Sequence, residues 1–181
     1  KIASVVTADD NDRSLFTFAN VDYSKILGFS WENSITLDRW QAGLGATYMG
    51  ESTAIDGSAA SNSDYLWSFN LQTTLGYTIP SWKTTLSTQL KYTGKTQVLV
   101  PGDNGPVVGQ TDDFTWMDAS ARTHITKDLS LTLGARNILD IVRVNASTTP
   151  TGAHGSGSSP SRLFGNGRSY YLKLLYNLNF N

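Results

Sequence analysis

At 181 residues, with 39% hydrophobic and 16% charged side chains, the chain has the length of one ordinary domain. A near balance of 14 basic against 15 acidic residues excludes the broad positive footprint of a nucleic-acid binder. The lack of cysteine excludes disulfides and thiolate metal sites, and no run of about 18 apolar residues exists to form a membrane helix.

The first element is "KIASVV", a strand pattern that begins abruptly at Lys1 and predicts a mature fragment or a piece of a longer polypeptide. A long strand from Leu15 to Leu37 follows. In it Leu27, Phe29, Trp31, Ile35 and Leu37 alternate with Gly28, Ser30, Glu32 and Ser34. Asp38 and Arg39 make a tight turn into Trp40, Ala42, Leu44, Ala46 and Tyr48, which alternate with Gln41, Gly43, Gly45 and Thr47. The next hairpin is cleaner: Tyr65 through Ile79, a turn at Pro80 and Ser81, then Trp82 through Tyr92 opposite Lys83, Thr85, Ser87, Gln89 and Lys91. A third runs from Phe114 to Ile125, turns over Thr126, Lys127 and Asp128, and climbs from Leu129 to Ala135. In the last strand, Ser169 to Asn181, Tyr170, Leu172, Leu174, Tyr176, Leu178 and Phe180 take every second position. The expectation is all-β, with about eight strands and no helical period.

Short turns alternate with long polar connections, roughly 50–64, 96–113 and 141–167, which exceed ordinary hairpin loops. That arrangement is the outer-membrane barrel pattern. Tyrosines and tryptophans at strand ends (Trp40, Tyr48, Tyr65, Tyr77, Trp82, Tyr92, Tyr170 and Tyr176) suit interfacial girdles. A soluble β-sandwich also alternates, but over strands of about five or six residues, and its outer face carries more charge. The predicted fold class is therefore a transmembrane antiparallel β-barrel.

Four segments, in order, carry a family resemblance: "FANVDYSKILGFSWE", "FTWMDASARTHITKDLSLTLGARN", "NILD" at Asn137 to Asp140, and "GNGRSYYLKLLYNLNF". Together they resemble TonB-dependent outer-membrane receptors, whose penultimate strand commonly closes on Asn-Leu-Phe-Asp and whose last strand opens on Gly-Arg-x-Tyr. Asp118 stands at the family's frequent acidic position. The usual Gly-Val-Glu is here Gly-Phe-Ser-Trp-Glu, and Asn181 follows the terminal aromatic that normally ends the chain. The resemblance implies a barrel of about 22 strands, of which residues 1–181 would form about the last eight. The plug domain and TonB-box would lie outside this chain. Implied partners are the rest of the receptor, TonB with its inner-membrane motor, the barrel-assembly machinery, the lipid bilayer, a small ligand and, in some members, a surface lipoprotein. The implied location is the outer membrane of a Gram-negative bacterium, and the implied activity is energised uptake of an iron chelate, cobalamin, glycan or peptide. Tyr170, Leu172, Leu174, Tyr176, Leu178 and Phe180 match the terminal strand read by the assembly machinery.

Candidate lumen-facing residues are Glu32, Gln41, Asn70, Gln72, Lys83, Gln89, Lys91, Asp118, Arg122, Arg136 and Lys173, which fall on the polar side of the alternation. In the last long loop, Arg143, His154 and Arg162 are candidate ligand contacts, because loops on a rigid scaffold carry recognition. His124 is expected near a short turn. Neither a nucleophile with its base nor a metal shell can be assembled from two isolated histidines, so no enzyme activity, metal or cofactor is expected. "GSGSSP" and "GNGRSY" open no helix to cradle a phosphate, and "NAS" at Asn145 meets a sequon that short sequences satisfy by chance. Two other readings stay open: a self-contained eight-stranded outer-membrane barrel acting as anchor or adhesin, and a soluble carbohydrate-binding β-sandwich.

Overall fold

The computed structural model describes residues 2–8, 14–55, 65–102, 105–148 and 161–178. Its strands are β1 (Ile2–Ala8), β2 (Ser14–Leu37), β3 (Trp40–Ile55), β4 (Leu66–Ile79), β5 (Thr84–Thr93), β6 (Gln97–Gly102), β7 (Gly105–Thr111), β8 (Phe114–His124), β9 (Leu129–Arg136), β10 (Arg143–Thr148), β11 (Ser161–Leu163) and β12 (Ser169–Tyr176). They form one sheet in the order β11-β10-β7-β6-β1-β2-β3-β4-β5-β8-β9-β12. The expected strands stand side by side from β1 to β12. Four shorter ones, β6, β7, β10 and β11, lie inside the connections that the polar composition marked as loops.

The wall from β2 to β12 is antiparallel throughout, and its registers put the alternating residues in continuous rows. One row runs Trp31–Ala46–Leu71–Tyr92 and another Leu37–Trp40–Tyr77–Leu86–Ala121–Leu133–Leu172. Because neighbours across a ladder point the same way, the apolar residues of seven strands make one uninterrupted face. Among the described residues no second sheet covers it: Phe29 is 70% exposed, Leu172 68% and Leu174 61%. A sandwich would bury that face, so the soluble alternative fails on this observation.

Aromatic rings mark two levels on the apolar face. Trp40 packs on Tyr77 with centroids 4.4 Å apart near the short turns, while Tyr48 stacks on Trp67 at 5.0 Å near the long connections. Trp67 and Tyr77 are ten residues apart on β4, roughly 34 Å along the strand or roughly 26 Å in height at a tilt of ~40°. That matches the apolar band of an outer-membrane barrel.

The short turns are built as such turns must be. Asp38 takes φ 47°, a left-handed conformation that Asp tolerates, and closes the Leu37↔Trp40 pair. Pro80–Trp82 forms a 3-10 turn, so β5 begins at Thr84 rather than at Trp82. Lys83, expected in the strand wall, is the left-handed residue of that turn, with φ 48°.

The buried apolar residues lie elsewhere. Among the described residues they are Val5, Leu99, Val100, Val108, Val144 and Ala146, all in β1, β6, β7 and β10. These strands form a rim beyond the wall: β1 pairs with Ser14–Asn20, the upper part of β2, while β3 pairs from Val21 downward. The rim turns back toward β3, where the Gln97 side-chain amide donates to the Glu51 carbonyl at 2.8 Å.

Candidate functional site

The polar face is organised in cross-strand rows. Glu32 stands in line with Gly45, Gln72, Lys91 and Trp116; one step toward the short turns, Ser34 aligns with Gly43, Thr74, Gln89 and Asp118. Lower still, Thr78, Thr85, Arg122, Thr132 and Lys173 form a third row. Glu32, Gly45, Asn70, Gln72 and Lys91 line a cleft of about 540 Å³. All the wall candidates except Lys83 thus share one face, Gln41 included, opposite Gly76.

Asp118 and the "NILD" segment form a lock where β8, β9 and β12 meet. Asp118 Oδ1 accepts from the Trp116 indole N–H at 2.7 Å and from the Asn137 backbone N–H at 2.8 Å. Asn137 is 1% exposed; its amide donates to the Ile141 carbonyl and its oxygen accepts from the Ile141 N–H, both at 2.9 Å. Asp140 then receives the Arg168 N–H at 2.8 Å, and the Arg168 guanidinium donates to the Ile138 carbonyl at 3.0 Å. Gly167, at φ 78°, lets the chain pass Asp140 without a side chain. A charge-assisted network of this kind fixes both ends of the last long connection.

Three aromatics on the polar face were not singled out from the sequence. Phe114 and Phe164 have ring centroids 4.4 Å apart, and Trp116 lies 6.2 Å from Phe164. The signal was parity, since Phe114 and Trp116 sit on the opposite side of β8 from Thr115 and Met117. Below them Tyr171 lies across Gly134, its register partner, and the Arg136 guanidinium stands 5.0 Å from the Tyr171 ring centre.

Of the loop candidates, Arg143 is exposed at the start of β10, and the backbone of Arg162 lies in β11, paired with Val144. His154 and Phe180 fall outside the described residues. Tyr170, Leu172, Leu174 and Tyr176 pair with Ala135, Leu133, Leu131 and Leu129 of β9, and among the described residues β12 has no neighbour on its other side. Nor do the described residues contain a group of three or more His, Asp or Glu able to hold a metal ion.

The model of the outer membrane protein beta-barrel family matches residues 1–170. The chain belongs to that family. Its place is therefore the outer membrane of a Gram-negative bacterium, with the apolar face of the wall toward lipid. Among solved structures the chain is similar in fold to FpvA of P. aeruginosa in complex with iron and a heterologous pyoverdine, with a TM-score of 0.58 at 17% identity. The likeness covers 90% of this chain and 20% of FpvA, so the chain spans about a fifth of its neighbour's length. No curated protein matches the sequence.

Proposed function

We propose that residues 1–181 are the C-terminal part of the barrel of a TonB-dependent outer-membrane receptor. In this reading the polar face lines the lumen, the rim and long connections receive a scarce nutrient, and a plug and earlier strands complete the machine. The observation that carries it is the pair of unfilled edges on an apolar wall. From Tyr23 to Leu37, β2 pairs only with β3 among the described residues, and β12 pairs only with β9. Hydrocarbon supplies no partner for such edges, so each needs a flanking strand, which the further strands of a larger barrel would supply. The resemblance of the ordered segments from "FANVDYSKILGFSWE" to "GNGRSYYLKLLYNLNF" supports the receptor type of barrel, and the likeness to a pyoverdine-bound protein favours an iron chelate as the cargo. A self-contained barrel would need β12 to pair with β1 or with the lower part of β2; β1 instead pairs with β6 and with the upper part of β2, and no β2–β12 ladder forms among the described residues.

The role is transport rather than catalysis. Uptake assays with iron chelates, cobalamin, glycans and peptides, in cells with and without the complete protein and with and without TonB, test it. Uptake that needs both is expected; uptake of none, or uptake indifferent to TonB, overturns it.

A further inference from the structure

The lipid-facing side of the wall is not uniformly bulky. On β8 its lower residues are Ala119, Ala121 and Thr123, and the registers set Thr88 of β5 and Ala135 of β9 beside Ala119. Larger side chains stand to either side: Leu75, Tyr77 and Leu86 on β4 and β5, Leu133 and Tyr170 on β9 and β12. Between them lies an apolar groove of about 730 Å³ along β8. In the next row down, the Thr84 and Thr123 hydroxyls bond each other at 2.9 Å, and Thr84 donates to the Trp82 carbonyl at 2.9 Å, so neither is left unpaired at the groove's lower end. Every strand that shapes the groove belongs to this chain. Strands beyond β12 would stand outside Tyr170 rather than over the groove, and anything inside a barrel meets the opposite face. The groove is therefore continuous with the surface that meets lipid.

Below it two turns stand side by side. The Lys83 carbonyl accepts the His124 N–H at 2.9 Å, which holds the β4–β5 turn against the end of β8. Trp82 and Ile125 project there, 70% and 52% exposed, and the exposed Lys83 and Lys127 set two cations against one carboxylate, Asp128. Tyr77 lies on β4 with both neighbouring strands in place; its ring packs on Trp40, and its hydroxyl has no hydrogen-bond partner among the described residues. An apolar trough, then a phenol at the aromatic level, then ammonium groups follow the order of a phospholipid: acyl chain, ester, phosphate. We propose that the groove along β8 is a specific site for a phospholipid of the periplasmic leaflet. An acyl chain lies on Ala119, Ala121 and Ala135, the ester region meets the Tyr77 hydroxyl, and Lys83 and Lys127 take the phosphate. A chain lying in a groove has dispersion contacts on three sides, which a chain on a flat wall lacks, so this lipid outlasts its neighbours.

The inference rests on the wall facing lipid, and not on TonB, a plug or the transported nutrient. Its test is native mass spectrometry of the full-length protein, stripped of lipid in nonionic detergent and titrated with dioleoyl phosphatidylglycerol. A single lipid that survives excess detergent is expected. A119F/A121F, which fills the groove, should lower its apparent affinity about tenfold, and K83Q/K127Q several-fold. A46F, on the same lipid-facing side but outside the groove, should leave it unchanged. Should A119F/A121F fail to insert, A121F alone carries the test, with a several-fold loss expected. Absence of a retained lipid overturns the site; so does binding that either A119F/A121F or K83Q/K127Q leaves unchanged, or an equal loss in A46F. A dimer that A119F/A121F dissociates would give the groove to a second copy of the chain and overturns it as well. Each of these failures leaves the transport reading standing, and uptake indifferent to TonB leaves this site standing.

Discussion

Asn137 has its backbone at φ 53° and its side chain buried, a combination that one residue type fills well. Asparagine tolerates the left-handed region, and its amide satisfies both the N–H and the C=O of Ile141. Asn137→Ala would leave two polar backbone groups unpaired and add left-handed strain. The expected loss is about 2–4 kcal/mol in urea unfolding of the folded barrel. Asn137→Gly, which relieves the strain but not the pairing, should recover only part of it; an unchanged midpoint for Asn137→Ala would refute the lock. At Gly134 the constraint is space, because a Cβ there would run into the Tyr171 ring. Gly134→Ala should cost about 1–3 kcal/mol by displacing that ring. The same substitution in a Tyr171→Ala background should be close to neutral, and equal costs in both backgrounds would show that the contact is unimportant.

At the scale of elements the molecule has two unlike parts. The wall holds its shape by ladder hydrogen bonds and by lipid on one face, whereas the rim has the buried side chains of a small soluble sheet. Val100 is 1% exposed at the centre of β6. Val100→Asp places a charge in that small core, and hydrogen exchange should then accelerate across Gln97–Thr111 and Arg143–Thr148 while Trp40–Tyr48 stays protected. Acceleration in both regions would mean that wall and rim fold as one unit. This division also explains what could be read in the sequence. A period of two sustained over eight or more residues specifies a wall strand locally, and β2, β3, β4 and β12 stood out for that reason. The rim strands did not, since "PG" ends β6 and "GP" opens β7, and turn chemistry masks the short runs beside them. Their pairing, Val5 with Leu99 and Ala146 with Thr111, joins residues far apart in sequence. At the candidate site, parity placed Glu32, Gln72, Lys91 and Arg122 on one face. No local pattern could show that Asp118 serves Asn137 nineteen positions away, or that Lys83 closes a turn.

For the whole molecule the decisive quantity is unpaired edge. Each backbone group of β2 below the rim that faces away from β3, and of β12 that faces away from β9, must find a partner in a medium that offers none. Each unsatisfied group costs about 1–3 kcal/mol, so even a handful outweighs the entire stability of an ordinary domain. Leu27, Phe29 and Leu37 at one edge and Leu172, Leu174 and Tyr176 at the other are all at least 60% exposed. Both edges are therefore also greasy, the combination that drives strands to pair with whatever is available. Residues 1–181 expressed alone and refolded into detergent micelles should accordingly give no discrete closed monomer; edge-to-edge oligomers or aggregates are expected by light scattering. On unboiled gels they should also lack the compact, fast-migrating form that marks a closed barrel. On the proposed receptor reading, the complete barrel should show that form. A monodisperse, heat-modifiable monomer from the 181-residue chain would mean that β2 and β12 can close on each other, and would return the self-contained barrel to first place.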